Sequence, residues 1–283
     1  MSRYINPYTD FGFKKLFGEE ASKDLLIDFL NAVLPAPTRV ADLTFRPSEQ
    51  LPDNIVDRKA IFDIACTGPK GETFTVEMQK AKQRYFRDRA LFYASFPIQK
   101  QAQQGNWDFK LNPVFLVAVL DFEYDKAQER RELRRVVTLK DQNGDQFLDS
   151  LQMVFLQMPM FKKTEADLVT REDKWLYFLK NLESFETIPK ILQEPVFDHA
   201  FTIAEWVKYP SPIQEAYRES QKVYWDNTNT WNYAIEESHA EGHAEGKAEE
   251  KTEIARNMKK KGLDPTLIAE MTGLSSEEIK RLK

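Results

Sequence analysis

The chain changes its hydrophobic period several times, and each change predicts an element. From Asp10 to about Leu34 apolar residues such as Phe13, Leu16 and Phe17 recur at helical spacing, and Pro35 disfavours any continuation. "VADLTF" (40–45) reads as a short strand. The run from Lys59 to Thr67 alternates, "TGPKGE" is turn chemistry, and "TFTVEMQ" (73–79) alternates again, so a β-hairpin is expected. A helix from about Tyr85 to Gln104 follows. "PVFLVAVLDF" (113–122) is apolar without interruption, as a strand covered on both faces would be. The order αβββαβ predicts an α/β core with a mixed sheet.

Beyond it, "LRRVVTLKD" and "DSLQMVFLQM" flank Asn143-Gly144, a strong hairpin signal that extends the sheet. Residues 172–225 read as helices broken at Pro189, Pro195, Pro210 and Pro212, with Trp175 and Trp206 as core side chains. From Ser238 to Glu249 the chain repeats a four-residue unit, "SHAE GHAE GKAE". Against 3.6 residues per turn, its alanine stripe winds slowly around a helix that is either a solvated linker or a surface for pairing. Ala240 stands where an HExxH motif has glutamate, so His239 and His243 read as two copies of one repeat slot rather than a zinc pair. Asp264-Pro265 opens a helix, Gly273 closes it, and Ser275 with Glu278 forms a capping box for the last one. That succession resembles a minimal helix-turn-helix, although with Lys280, Arg281 and Lys283 as its nearby cations it serves equally well as a packing or self-association module. Three regions are expected: a core with sheet extension (1–160), a helical region packed on it (161–235), and a charged repeat helix with its small tail (236–283).

Composition narrows the class. Hydrophobic residues make up 42% of 283 residues, which excludes a disordered chain. The single Cys66 excludes an internal disulfide and cysteine-rich zinc sites. "MSRYINPYTD" carries no apolar leader and no apolar run reaches the ~18 residues of a membrane span, so a cytoplasmic location without membrane association is expected. The net charge of −5 is unevenly spread. Between residues 80 and 110 lie Lys80, Lys82, Arg84, Arg87, Arg89, Lys100 and Lys110 against Asp88 and Asp108, with Tyr85, Phe86, Phe92 and Tyr93 interleaved. Such a helix, its aromatics packed inward, would offer a cationic face to phosphates, Lys82, Arg84, Arg87 and Arg89 foremost. A solvated amphipathic helix is the plainer alternative.

The hairpin holds the candidate chemistry. In the strand period Ile61 and Asp63 share one face of the first strand, and Glu77 and Gln79 one face of the second. Two carboxylates and an amide on adjacent strands are the oxygen ligands that Mg²⁺ or Mn²⁺ takes alongside waters and substrate phosphate. The competing reading is a solvated hairpin. Aspartate is disfavoured in strands, and Asp63 lies between Phe62 and Ile64, which favours a site.

"NPYTDFGFKKLFG", "DRKAIFDI", "VEMQ" and "RALFYAS" occur in the order found in the recombination-promoting nuclease (Rpn) and transposase family of the PD-(D/E)XK superfamily, and over about the first 125 residues the chain resembles it closely. The resemblance implies a restriction-endonuclease-like core and a Mg²⁺-dependent endonuclease acting on double-stranded DNA. It implies that Asp63 and Glu77 hold the metal, Gln79 orients the nucleophilic water, and Asp10 from the first helix assists. Asp10 could instead only cap that helix. Where the superfamily usually has lysine this chain has Gln79, which hydrogen-bonds a water but carries no charge. Lys59 is too far along the strand to substitute, at about 13 Å. Lys80 points to the opposite face, and Lys82 is the better substitute. Arg89 and Tyr93 share a helix face and could orient Glu77 or touch a phosphate. A non-catalytic DNA-binding or assembly protein with a degenerate site, and an RNA substrate, are the rival readings, and the C-terminal helix offers a surface for a homo-oligomer.

Overall fold

The computed structural model describes residues 2–46, 49–50, 60–61, 63–102, 106–125 and 129–282. They fall into two compact units, 1–224 and 225–283. Along the first run α1 (Asp10–Phe17), α2 (Lys23–Val33), β1 (Thr44–Arg46), the two-residue strands β2 (Glu49–Gln50) and β3 (Ala60–Ile61), β4 (Ile64–Thr67), β5 (Thr73–Gln79), α3 (Phe86–Gln99), β6 (Val114–Leu120), β7 (Arg134–Lys140), β8 (Gln146–Gln157), α4 (Arg171–Asn181) and α5 (Pro195–Ala204). Helix α6 (Ser211–Lys260) begins in the first unit, and the second unit ends with α7 (Pro265–Thr272) and α8 (Ser276–Arg281).

A mixed sheet in the order β1-β4-β5-β6-β8-β7 carries the first unit, and β2 pairs with β3 apart from it. β4 and β5 are antiparallel, whereas β5, β6 and β8 are parallel neighbours. Every residue of β6 is buried because helices cover both faces. On one face Ile64, Cys66, Phe74, Val76, Met78, Val117 and Val154 join the apolar sides of α1, α2, α4 and α5. On the other, Leu116, Ala118, Met153 and Phe155 meet Phe86, Ala90 and Ala94 of α3. The expected α/β core is thus present. In the second unit Ala255, Ile268 and Ile279 form a small core, with the predicted cap at Asp264 and capping box at Ser275 and Glu278 in place. No helix among the described residues is long and apolar enough to cross a membrane.

Four local differences from the sequence pattern have physical causes. The expected single helix over 10–34 is two, because Gly18 closes α1, where a Cβ would lie 2.9 Å from the Lys14 carbonyl oxygen. Both helices still face the same core, so the period gave no sign of the break. The strand expected from Lys59 to Thr67 is divided into β3, which pairs with β2, and β4, which joins the main sheet, leaving Asp63 in a bend, while Lys59 and Phe62 lie outside the described residues. The expected "VADLTF" strand shortens to β1, because Asn31 clamps Val40 through both its backbone groups at 2.8 and 2.9 Å. On α3, finally, the aromatics do not all turn inward. The helix meets the sheet through the narrow stripe Phe86, Ala90, Ala94 and Pro97, which leaves Tyr85 66% and Phe92 46% exposed.

Helix α1 is set by its N-terminus. Thr9 Oγ1 accepts from the Gly12 amide at 2.9 Å and donates to the Asn6 carbonyl at 2.8 Å. Tyr217 from α6 accepts from the Asn6 amide at 2.7 Å. With Thr9 as cap, Asp10 is freed from that role and faces outward, paired with Lys14 at 3.0 Å. Gly12 is required by close approach, since a Cβ there would sit 2.1 Å from the Asn6 carbonyl oxygen. Gly12→Ala is therefore expected to destabilise the protein by roughly 2–4 kcal/mol, read from the urea midpoint at unchanged m-value.

Candidate active site

The β4–β5 ladder pairs Ile64 with Val76, so Asp63 follows one step beyond the last pair, beside the Glu77 end of β5. The Asp63 carboxylate is fixed there, its Oδ2 accepting from the Met78 amide at 2.7 Å. Glu77 lies on the α3 face and is only 7% exposed. Its Oε2 accepts from Gln79 Nε2 at 3.1 Å, while its Oε1 is buried with no hydrogen-bond partner. Arg89 and Tyr93 of α3 join Glu77 and Gln79 around a narrow cleft floored by Leu116, Ala118 and Phe155.

Burial and crowding of like charge shape the electrostatics. Burial raises the Asp63 carboxyl, the Met78 amide partly offsets this, and Asp10 pushes it up further. Burial, then the Asp63 charge, pushes Glu77 up to about 7, against the smaller pull of Gln79 and Arg89. Asp10, Asp63 and Glu77 therefore form a chain of carboxylates that feel one another. Lys80 enters the same field: burial lowers its pKa, and Asp10 and Asp63 hold it up. As the alternation requires, Lys80 follows the last strand residue on the face opposite Gln79, which is the α1 face. Its ammonium sits 5.6 Å from the centre of the Tyr224 ring.

The sequence-derived cations separate. Arg89 reaches the acids, donates to Gln83 Oε1 and lies over the Tyr93 ring at 4.9 Å. Lys82 and Arg84 are exposed beside the start of α3, with Arg84 5.0 Å from the Tyr85 ring centre. Arg87 faces away and holds Glu129 through both guanidinium ends, one at 2.8 Å. The His239 side chain lies outside the described residues.

One residue was passed over in the sequence and one went unread. Lys80, set aside because it points to the face opposite Gln79, does point there, yet it lies in the field of Asp10 and Asp63, whereas Lys82 is exposed. Asp121 follows β6, its amide donating to the Gln79 carbonyl at 2.9 Å, and burial pushes its carboxyl up to about 6. Tyr224 donates to that carboxylate at 3.4 Å. The signal existed, for parallel strands end at one sheet edge and the residues following β5 and β6 must then be neighbours.

Among the described residues no three His, Cys, Asp or Glu side chains form a ready-made metal cage. A Mg²⁺ site of one or two carboxylates completed by water and phosphate needs none. The orphaned Oε1 of Glu77 beside the half-buried carboxylate of Asp63 fits such a cation.

Glu77 also ties metal-free stability to pH. Its folded pKa of about 7 exceeds the ordinary 4.5. Its contribution is complete below the unfolded value and is lost as pH rises through about 7, a change of roughly 3 kcal/mol. In EDTA, urea unfolding should show stability falling from about pH 5 to about pH 8. Glu77→Gln should flatten that slope and be the more stable protein at the alkaline end; an unchanged slope would refute the assignment.

Comparison with known proteins adds two matches. A family model described as PD-(D/E)XK nuclease family transposase matches residues 7–234. A second, described as Rpn/YhgA-like nuclease family, C-terminal HTH domain, matches residues 248–283. No curated protein and no solved structure matches.

Proposed function

Because the chain belongs to the PD-(D/E)XK nuclease family transposases, we propose that it is a Mg²⁺-dependent endonuclease that hydrolyses phosphodiester bonds in double-stranded DNA, with Mn²⁺ as an alternative metal. The observation that carries this reading is the buried Oε1 of Glu77, which has no hydrogen-bond partner among the described residues, next to the half-buried carboxylate of Asp63. Two such acids, neither of them in an ion pair among the described residues, are arranged for a cation that arrives with substrate.

Asp63 and Glu77 would hold the metal. When bound, a divalent cation there supplies Lewis-acid activation of a water and neutralises charge on the scissile phosphate. The rest is work for the chain. The Met78 amide keeps Asp63 at the sheet edge. Gln79 donates to Glu77 Oε2, which leaves Oε1 for the cation, and its own amide oxygen can accept from the attacking water. Asp10 assists directly or through a water. The positive charge that Gln79 cannot supply would come from Lys80, already in the field of Asp10 and Asp63. Lys82, Arg84 and Arg89 would meet flanking phosphates, whereas Arg87 is committed to Glu129.

The match of residues 248–283 to a C-terminal HTH model supports a second DNA contact through α7 and α8. A role for the alanine stripe of α6 in self-association belongs to the same reading. The rival, a DNA-binding or assembly protein without catalysis, draws on Gln79 and on the C-terminal helices as the DNA contact.

Purified protein is expected to nick plasmid with Mg²⁺ or Mn²⁺ and not in EDTA. Asp63→Ala or Glu77→Ala should lower the rate by roughly 100-fold or more, and Gln79→Ala by about 10–100-fold through Glu77. Deleting residues 236–283 should weaken DNA binding yet leave residual cleavage. Nicking that persists in Asp63→Ala, or no nicking with either metal, would overturn the proposal.

A further inference from the structure

On the α3 face of the sheet, away from the acids, lies a cavity of about 280 Å³ lined by Arg87, Tyr124, Glu129, Arg135, Val137, Met153 and Phe155. Its floor is apolar and aromatic, with Tyr124 packed edge-on to Phe155 at 5.2 Å between ring centres. Arg87 lies over the Tyr124 ring at 5.0 Å. The walls are firmly built: buried Gln157 accepts from the Tyr124 amide at 2.8 Å and donates to Asp125 Oδ2 and to the Glu132 carbonyl, both at 2.7 Å.

Among the described residues, several polar atoms around this cavity lack hydrogen-bond partners. Tyr124, 6% exposed, has a buried hydroxyl with no hydrogen bond, and Arg135 has a buried Nε–H with none. Asp125 Oδ1 directly behind is 2.9 Å from Arg135 Nη2 as an ion pair, yet receives no directed hydrogen bond. Burial pushes the Tyr124 phenol up to about 12, so it remains a donor at any ordinary pH. Buried polar groups without partners carry a desolvation cost, and a cluster of them at a cavity wall marks something that satisfies them. Both arginines already face carboxylates, so the cavity is near neutral and suits an uncharged, flat, hydrogen-bonding ligand better than a phosphate.

Sheet register connects this cavity to the acids. Glu77 pairs with Ala118, Ala118 with Phe155, and Phe155 with Arg135. The four form one row on one face, which puts Arg135 three strand spacings, ~14 Å, from Glu77. At ~3.4 Å per stacked nucleotide that is about four nucleotides, fewer for an extended strand. We propose that this cavity receives an unpaired base of the DNA strand whose backbone is cut at the Asp63–Glu77 site, a subsite that makes unpaired or flipped nucleotides near the break part of the preferred substrate. The aromatic floor and the partnerless donors of Tyr124 and Arg135 match the π-face and the acceptor edge of a nucleobase, which a duplex would have to release from its stack. The volume lies near the ~300 Å³ lower limit of ligand pockets and suits a base rather than a whole nucleotide. The inference rests on the nuclease reading above.

The test is equilibrium binding by the full-length protein in EDTA, by fluorescence anisotropy, to a duplex and to the same duplex with a single-base bulge. Val137→Trp fills the cavity, and Tyr124→Phe removes only the hydroxyl. Val137→Trp should weaken binding of the bulged DNA roughly tenfold, and Tyr124→Phe about threefold to tenfold. Both should leave the fully paired duplex within about twofold, since its bases stay stacked. Equal loss on both DNAs would overturn the proposal, as would no loss on either with the thermal midpoint retained, which would leave the cavity to ordered water only. Should Val137→Trp not fold, Tyr124→Phe decides alone. Because binding in EDTA needs no turnover, an inactive enzyme with bulge-selective binding would sink the nuclease reading and keep the base site, and normal nicking without that selectivity would do the reverse.

Discussion

The hydrogen bond from the Met78 amide to Asp63 Oδ2 is the constraint on which the site depends. Asp63 is not a ladder residue, so nothing in the sheet itself fixes its side chain. A bend before β4 would ordinarily let a carboxylate swing into solvent, where it is best hydrated. Accepting from a β5 amide ties it instead to the strand that bears Glu77 and Gln79. Backbone of one strand thereby positions the first acid, and the side chains of the same strand supply the second acid and the amide.

Bringing these acids together opposes their ionisation. Burial is the larger cause at both Asp63 and Glu77, with the charge of Asp10 added at Asp63 and that of Asp63 added at Glu77. A protein selected for stability alone would place a neutral side chain at Glu77, whose Oε1 finds no donor. Only a proton or a cation relieves the position. The protein's own cations stay at the margins: Lys14 pairs with Asp10, and Arg89 bears on Glu77 weakly. The centre between the acids is left without a cation of the protein's own among the described residues, which is the electrostatic condition the proposed metal site requires.

Much of this was legible because strands obey a period of two. The alternation in "TFTVEMQ" sets Glu77 and Gln79 on one face whatever surrounds them, and the unbroken apolar β6 could only be a covered strand. Asn143-Gly144 likewise fixed the β7–β8 hairpin, with Gly144 at φ +90°. Features that depend on partners were not legible. Phe62 and Ile64 flanking Asp63 look like strand, and the bend follows from where the ladder stops. The exposed Tyr85 and Phe92 followed from how closely α3 approaches the sheet, which its alanines decide and its aromatics conceal. Asp121 required knowing that β5 and β6 run parallel and side by side, and the nearness of Lys80 to Asp10 required knowing that α1 covers that face of the sheet.

The same period of two that makes Gln79 a neighbour of Glu77 denies that place to Lys80. Consecutive residues at a strand end must point apart, so an amide and an ammonium at 79 and 80 approach the acids from opposite faces. Gln79 acts from the α3 side on Glu77, and Lys80 from the α1 side, in the field of Asp10 and Asp63. A lysine at 79 would have put charge and water contact in one side chain. In the proposed mechanism they are divided between two residues and two helical layers, and α6 joins the second layer through Tyr224, which touches both Lys80 and Asp121. The chemistry at the sheet edge therefore depends on the packing of both faces, and a change that shifts α1 or the first turns of α6 reaches Lys80 without touching Glu77.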